Sequence, residues 1–435
     1  MKKIVTVILA LFMLTIVSAQ PVDQYIGDAM KNKAWRELRQ LVLLEGGNIQ
    51  TPLLKPLSKF FISHYYNQPD SVIHYGGILL EKYQAELGGS VEGIIYFMSD
   101  NLARLGHFDE ASAILHAFNK AVADAGLPVN EQYINFEHQY RVLHQFGGFS
   151  MQRPDKTVKI PLRYHSNLRE DPVMIFTQVV MNGETVDVTY DTGAGVNVIS
   201  SEKAIEIGAH IIDSIGIDVH GISPQSSQFA IVDSIRLGGI LYTNVPFQVV
   251  DFATGDEEAD FKRKEIDFQC ILGSQTMMPL GEIQFDFEQG QLIIPNKPSV
   301  TPNFAPNMYR SESNQFIVDL YDYTSKDVID ALLNTGASYS MLTSTYYNKN
   351  ENIFKDVVPT NTIRYAGGGG VNYAKTFNTS MKYKVGDRIA YIDSINVAID
   401  EGEKGFKSDF LFGLNALTLF DKVTINFTDM WIKMD

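Results

Sequence analysis

A duplicated segment constrains this chain more than any other feature. Asp191-Thr192-Gly193-Ala194-Gly195 returns as Asn334-Thr335-Gly336-Ala337-Ser338, 143 residues later (334 − 191). The flanks repeat with it. Val186-Asp187-Val188 has its counterpart in Ile329-Asp330-Ala331, and Val198-Ile199-Ser200 in Met341-Leu342-Thr343. Further on, Ile271-Leu272-Gly273 matches Leu411-Phe412-Gly413, now 140 residues apart (413 − 273). Each is followed by an alternating apolar run broken by a turn: Ile283–Phe287 with Leu292–Ile294, and Val423–Phe427 with Trp431–Ile432. Alternation at period two, interrupted by Gln289-Gly290 or Thr428-Asp429, predicts strand, turn and strand. The chain therefore builds one β lobe twice.

The two copies differ at one chemically decisive atom, an acid at Asp191 and an amide at Asn334. Paired Asp-Thr-Gly motifs set two carboxylates around one water, one ionised to take a proton and one protonated to polarise a carbonyl. Over about residues 155–435 the chain resembles the retropepsin and pepsin superfamily of aspartic peptidases. That resemblance implies a multidomain α plus all-β chain whose C-terminal part is a bilobal, retropepsin-like β-barrel pair fused in one chain. It assigns the catalytic positions to Asp191, which matches, and Asn334, which does not, with Gly193 and Gly336 completing the loops. It gives Thr192 and Thr335 a cross-bonding role beneath the pair. It also implies that Gly273 and Gly413 end strands threading under the motif loops. Ala194 and Ala337 are closer to the retroviral branch.

Each lobe should also supply a flap. The candidates are Val219-His220-Gly221-Ile222-Ser223 and Tyr365-Ala366-Gly367-Gly368-Gly369-Gly370, with His220, Gly221, Ile222, Tyr365, Ala366 and Gly367 as candidate substrate contacts. Glycine gives a hairpin tip backbone freedom and lets a ligand's main chain come close. The glycine run lacks the Lys-Ser or Lys-Thr of a phosphate loop.

Ahead of the lobes, helical periodicity runs over Tyr25–Leu44, Pro52–Tyr66, Ser71–Leu87, Val91–Leu105, Phe108–Ala125 and Glu131–Gln145. Leu102–Ala111, with its Gly-x-Phe-x-x-Ala spacing, resembles the turn of a tetratricopeptide repeat, and Trp35-Arg36-Glu37-Leu38 matches that consensus more weakly. The expected organisation is a signal peptide at 1–19, a TPR-like helical domain at 20–150, lobe 1 at 155–298 and lobe 2 at 304–435. Gly147-Gly148 through Pro154 reads as a hinge. A helical module in this position suggests docking of a protein partner or control of access.

Met1-Lys2-Lys3, an apolar run to Val17 and Val17-Ser18-Ala19 fit a cleaved export signal, so the mature chain should begin at Gln20, in a bacterial periplasm or outside the cell. No later stretch approaches a membrane span. A formal net charge of −15 argues against a nucleic-acid partner. The single cysteine, Cys270, allows no internal disulfide and sits in an apolar strand as an inert small hydrophobe. No His-Glu-x-x-His or Gly-x-Ser-x-Gly pattern occurs, so neither a zinc site nor a serine nucleophile is indicated, and no cofactor or metal is expected. Asp256-Glu257-Glu258-Ala259-Asp260 fits no EF-hand and reads as a solvated loop. Asp187 and Asp330 read as outward-facing alternates.

Three functions stay open. The first is an aspartic endopeptidase acting on peptide or protein substrates, weakened by Asn334. The second is an inactive pseudopeptidase that binds extended peptides in the cleft. The third is a scaffold whose helical module carries the function. With no second carboxylate to repel it, Asp191 should ionise near an ordinary carboxylate value.

Overall fold

The structure, a computed structural model, describes residues 21–164, 174–212, 215–221, 224–367, 370–402 and 405–435. The export signal at 1–19 lies outside the described residues, as do Ile222, Ser223, Gly368 and Gly369 of the two flap candidates. The chain forms two compact units, residues 1–148 and 149–435.

The described part of the first unit is helical. The expected Tyr25–Leu44 helix is two helices, Pro21–Lys31 and Trp35–Glu45, because Lys33 adopts a left-handed φ of 56° that ends the first. Ser71–Leu87 likewise divides, into Pro69–Lys82 and a short turn at Gln84–Leu87. Leu54–Tyr65, Val91–Arg104, Phe108–Asp124 and Glu131–Gln145 follow the periodicity closely. Left-handed Asn67, Gly106 and Gly126 stop their helices where an L-residue with a larger side chain would be strained. Consecutive helices pack on one another through Ile95, Leu115 and Tyr133, and through Trp35 stacked on Tyr65 at 3.9 Å between ring centres. The Gly106-His107-Phe108 turn joins two of these helices and buries Phe108 and Ala111. Among the described residues, no helix is long and apolar enough to cross a membrane.

The second unit is β-rich and repeats itself as the motifs demand. In lobe 1 the motif strand Glu184–Tyr190 lies between the hairpin partner Ile175–Met181 and the parallel strand Cys270–Leu272. In lobe 2 Asp327–Leu333 lies between Phe316–Asp322 and parallel Phe410–Phe412. Each sheet closes on itself, through Gln228–Leu237 with Ile240–Val250 in lobe 1 and Phe316–Asp322 with Gly370–Val385 in lobe 2. Closure pairs the ring strands on both sides and leaves a side-chain-filled barrel, with Ser150–Gln152 and His210–Ile212 in lobe 1 and Met308–Arg310 and Asn361–Gly367 in lobe 2 as edge strands. Ser150–Gln152 pairs with Leu241–Thr243, so the stretch expected to be a hinge up to Pro154 carries a strand of lobe 1's sheet.

The two C-terminal hairpins join across the lobes. Glu282–Asp286 and Lys422–Asn426 pair antiparallel, with Gln284 opposite Thr424 and Ile283 opposite Ile425. Gln284 and Thr424 are equivalent positions of the repeat, so a pseudo-twofold axis passes between them. The sheet is five-stranded, with Val158–Pro161 at one edge and Trp431–Met434 at the other. Buried Glu282 accepts hydrogen bonds from Ser299 and, across the axis, from Asn426 at 3.1 Å. At the lobe 2 edge the Asn307 amide stands in for a strand, donating to Ile432 O at 3.0 Å and accepting from Ile432 N at 2.9 Å.

Candidate active site

Backbone geometry fixes both motif loops before their side chains matter. Asp191 N donates to Leu272 O and Asn334 N to Phe412 O, each at 3.0 Å, tying the first residue of both motifs to the threading strands. Those strands end in glycine for a steric reason. A Cβ on Gly273 would lie 2.4 Å from Val196 O, and one on Gly413 would lie 2.8 Å from Tyr339 O. Each glycine N–H then meets a side chain of its own motif loop, Asn197 Oδ1 in lobe 1 and Ser340 Oγ in lobe 2, both at 2.9 Å. Asn197 and Ser340 are equivalent positions that do one job with different chemistry. Sequence reasoning missed them because the donors they serve are backbone groups distant in the chain.

Thr192 and Thr335 lock the loops together beneath the site. Thr335 N donates to Thr192 Oγ1 at 3.0 Å, and Thr192 Oγ1 donates to Leu333 O at 3.0 Å. Reciprocally, Thr192 N donates to Thr335 Oγ1 at 3.1 Å, and Thr335 Oγ1 donates to Tyr190 O at 2.6 Å. Both threonines are fully buried, so every one of these groups would otherwise be an unsatisfied polar atom.

The grip brings Asp191 and Asn334 face to face. Gly336 N lies 3.1 Å from Asp191 Oδ1 and 2.9 Å from Asn334 Oδ1, so one amide serves both side chains. Gly193 N donates to Asp191 Oδ1 at 2.7 Å. A Cβ on Gly336 would stand 2.5 Å from Asp191 Oδ2, and one on Gly193 would stand 2.5 Å from Asn334 Nδ2. Because a backbone N–H needs an oxygen, Asn334 turns Oδ1 inward and keeps Nδ2 as a donor. Burial pushes the Asp191 carboxyl up from 3.8 to about 6, against the Gly193 and Gly336 amides that favour its charge. The expectation of an ordinary carboxylate value is thereby corrected. Removing the second acid takes away like-charge repulsion, but desolvation remains and dominates.

The flap candidates are hairpins. Asp218–His220 pairs with Pro224–Ser226, and Asn361–Gly367 pairs with Gly370–Val385 with Gly367 opposite Gly370. Gly221 and Gly367 therefore adjoin the two tips, and Ala366 sits opposite Val371. Tyr365 is tied into lobe 2, accepting from Asn372 at 2.7 Å, donating to Glu401 at 3.3 Å and stacking on Phe406. The acidic run is not a free loop. Asp256 caps a helix at Glu257–Glu265 by accepting from Ala259 N, and Arg364 of the lobe 2 hairpin pairs with Asp256 and with Glu258, the latter at 3.0 Å. Asp187 is bonded by Arg163 at 2.6 Å, and Cys270 is buried with its thiol pushed far up by desolvation.

Residues 177–276, which carry the first motif and its threading strand, match the family model described as aspartyl protease. No curated protein matches the chain. Among solved structures, a retropepsin-like aspartic protease from Rickettsia conorii is 14% identical, with 34% of this chain and 93% of that chain covered. Its TM-score is 0.22, and at that value the likeness carries no structural argument. The family match lies within lobe 1, and lobe 2 repeats the motif loop and threading strand of the matched segment.

Proposed function

We propose that the cleft hydrolyses peptide bonds with Asp191 as its only acid–base group and Asn334 as a fixed hydrogen-bond donor. The observation that carries this reading is the amide shared by the two side chains, which holds Asn334 Nδ2 as a donor beside the Asp191 carboxylate. Ionised Asp191 takes a proton from water as the oxygen adds to the scissile carbonyl carbon, while Asn334 Nδ2 donates to the carbonyl oxygen. Asp191 then returns the proton to the departing amine. Asn334 has no proton to transfer, and losing positioned acid catalysis typically costs about 10²–10⁴-fold. The enzyme is therefore slow. Activity should rise as Asp191 ionises near pH 6, without the falling limb that loss of a proton from a second acid would give.

The test compares wild type with Asp191→Asn on a peptide library. Cleavage that persists in Asp191→Asn would overturn the reading. Asn334 itself favours a second reading, a pseudopeptidase that holds peptides and does not cut them. Inert wild type that still binds a hydroxyl-bearing peptide isostere would select it.

We further propose that the chain is exported, on the strength of the charged start, apolar run and Val17-Ser18-Ala19. A native protein beginning at Met1 would refute that. The helical unit is proposed to dock a protein partner, on its repeat-like turn at Gly106–Phe108.

A further inference from the structure

Arg364 carries the lobe 2 hairpin across to lobe 1. It lies in strand Asn361–Gly367, and its guanidinium pairs with the Asp256 carboxylate and, at 3.0 Å, with that of Glu258, at the start of helix Glu257–Glu265. Lys262 of the same helix also holds Glu258, at 2.9 Å. The returning strand of the hairpin reaches the same place, because a Cβ on Gly370 would lie 3.9 Å from Thr254 O. The receiving segment is stiff. Asp260 accepts from Thr254 N at 2.7 Å, Thr254 Oγ1 at 2.9 Å and Gly255 N at 3.2 Å, and Asp256 N donates to Thr254 Oγ1 at 3.2 Å. Phe252 and Phe268 bring the segment's two ends together, edge to face at 5.3 Å between ring centres, and Phe268 meets Phe176 of the lobe 1 barrel at 6.4 Å.

Neighbouring strand residues point to opposite faces. Arg364 therefore reaches out to lobe 1 while Tyr365 reaches back to Glu401 of its own lobe. Glu401 is buried and accepts from Ser344 N at 2.7 Å and Ser344 Oγ at 2.8 Å. The outward tie is of another kind, since the Arg364, Asp256 and Glu258 side chains are 31%, 29% and 62% exposed. Other contacts between the lobes are more sheltered. The threonine grip and the Asn426–Glu282 bond are buried. Part-buried Gln315 Nε2 donates to Gly193 O at 2.6 Å, from a turn whose Ser313 O would lie 1.7 Å from a Cβ on Gly195. Salt screens exposed charges, with a Debye length of about 10 Å at about 0.1 M, and buried pairs much less. Of these joints, the one at Arg364 is the one that salt can open.

We propose that Arg364 is a latch: its two carboxylate partners hold the lobe 2 hairpin on lobe 1, and screening those pairs lets the hairpin swing away about its Tyr365 tether. Access to the cleft then depends on ionic strength, a step that rests on the peptide reading above and adds regulation to it. Arg364 is a positioning residue and touches no reacting atom. Each exposed ion pair contributes little, so the latched and released states lie close in free energy, as a gate that opens for every substrate requires.

The experiment uses the full chain with spin labels at Thr362→Cys in the hairpin and Glu265→Cys at the far end of the helix. Double electron–electron resonance reads the distance between them, and Cys270 is buried and stays unlabelled. Between about 0.05 M and about 0.5 M salt, the ratio of long to short distances should rise about fivefold. Arg364→Gln should show the raised ratio at both salt concentrations, and Arg364→Lys, which keeps the charge, should keep the salt response. Distances that neither salt nor Arg364→Gln changes would overturn the latch, as would a salt response that survives in Arg364→Gln. The association rate of a hydroxyethylene peptide isostere should climb in step with the long-distance fraction, and a rate indifferent to it would overturn control of access. An isostere that binds neither wild type nor Asn334→Asp would defeat the peptide reading, while the distances still decide the latch.

Discussion

Lobe 1 and lobe 2 use the same scaffold with different degrees of fidelity. Where the backbone does the work, they agree closely. Asp191 and Asn334 each donate to a threading strand at 3.0 Å, both threading strands end in a glycine that admits no Cβ, and the two threonines exchange equivalent hydrogen bonds. Where side chains do the work, they part. Asp191 faces Asn334, Asn197 is replaced by Ser340, and Gly195 by Ser338. The difference teaches that loop geometry is shared by both lobes, whereas titratable chemistry belongs to one of them.

The largest test of that division is Asn334→Asp. It adds a second carboxylate to a cradle whose amides already donate to one, so a peptide-cleavage assay should show a gain of about 10²–10⁴-fold. An inert variant would mean the lobes differ in geometry and not only in chemistry. Next in size is the grip. Thr192→Val or Thr335→Val should each cost about 2–4 kcal/mol in chemical denaturation of the second unit, because each strands a buried carbonyl and a buried N–H. Near-equal losses would confirm that both halves of the grip matter alike.

A third test concerns charge. Asp191 has its pKa raised on folding, so the native state binds the extra proton, and stability falls as pH climbs from about 4 through about 6. Asp191→Asn keeps the oxygen for Gly193 and Gly336 and removes the ionisation. It should be more stable than wild type at pH 8, by up to about 3 kcal/mol at about 1.4 kcal/mol per pH unit. The gap should vanish near pH 4, and a melting curve at each pH reads it directly. The smallest effect is a reciprocal swap. Gly195→Ser must displace Ser313 and should cost about 1–3 kcal/mol, whereas Ser338→Gly should cost about 1 kcal/mol or less, both read by thermal melts.

Much of this was legible in the chain because the repeat writes each rule twice. The two β lobes follow from the repeat, and the roles of the threading glycines and the paired threonines follow from the resemblance that its motifs carry. Three things did not. The split at Lys33 depends on a left-handed lysine, a conformation no local pattern announces. The raised pKa of Asp191 depends on how deeply the folded loops bury it, which composition does not report. Gln315 and Arg364 act on residues more than a hundred positions away, and a polar side chain in a turn carries no mark of its distant partner.

The Gln284–Thr424 pairing at the lobe junction has a consequence for inheritance. Two identical halves assembled from separate copies of one gene product would change in lockstep, and an acid lost from one would be lost from both. Joining the halves covalently keeps them together at any dilution and gives each its own codon at the critical position. Asn334 opposite Asp191 is a state that a homodimer of one lobe cannot reach.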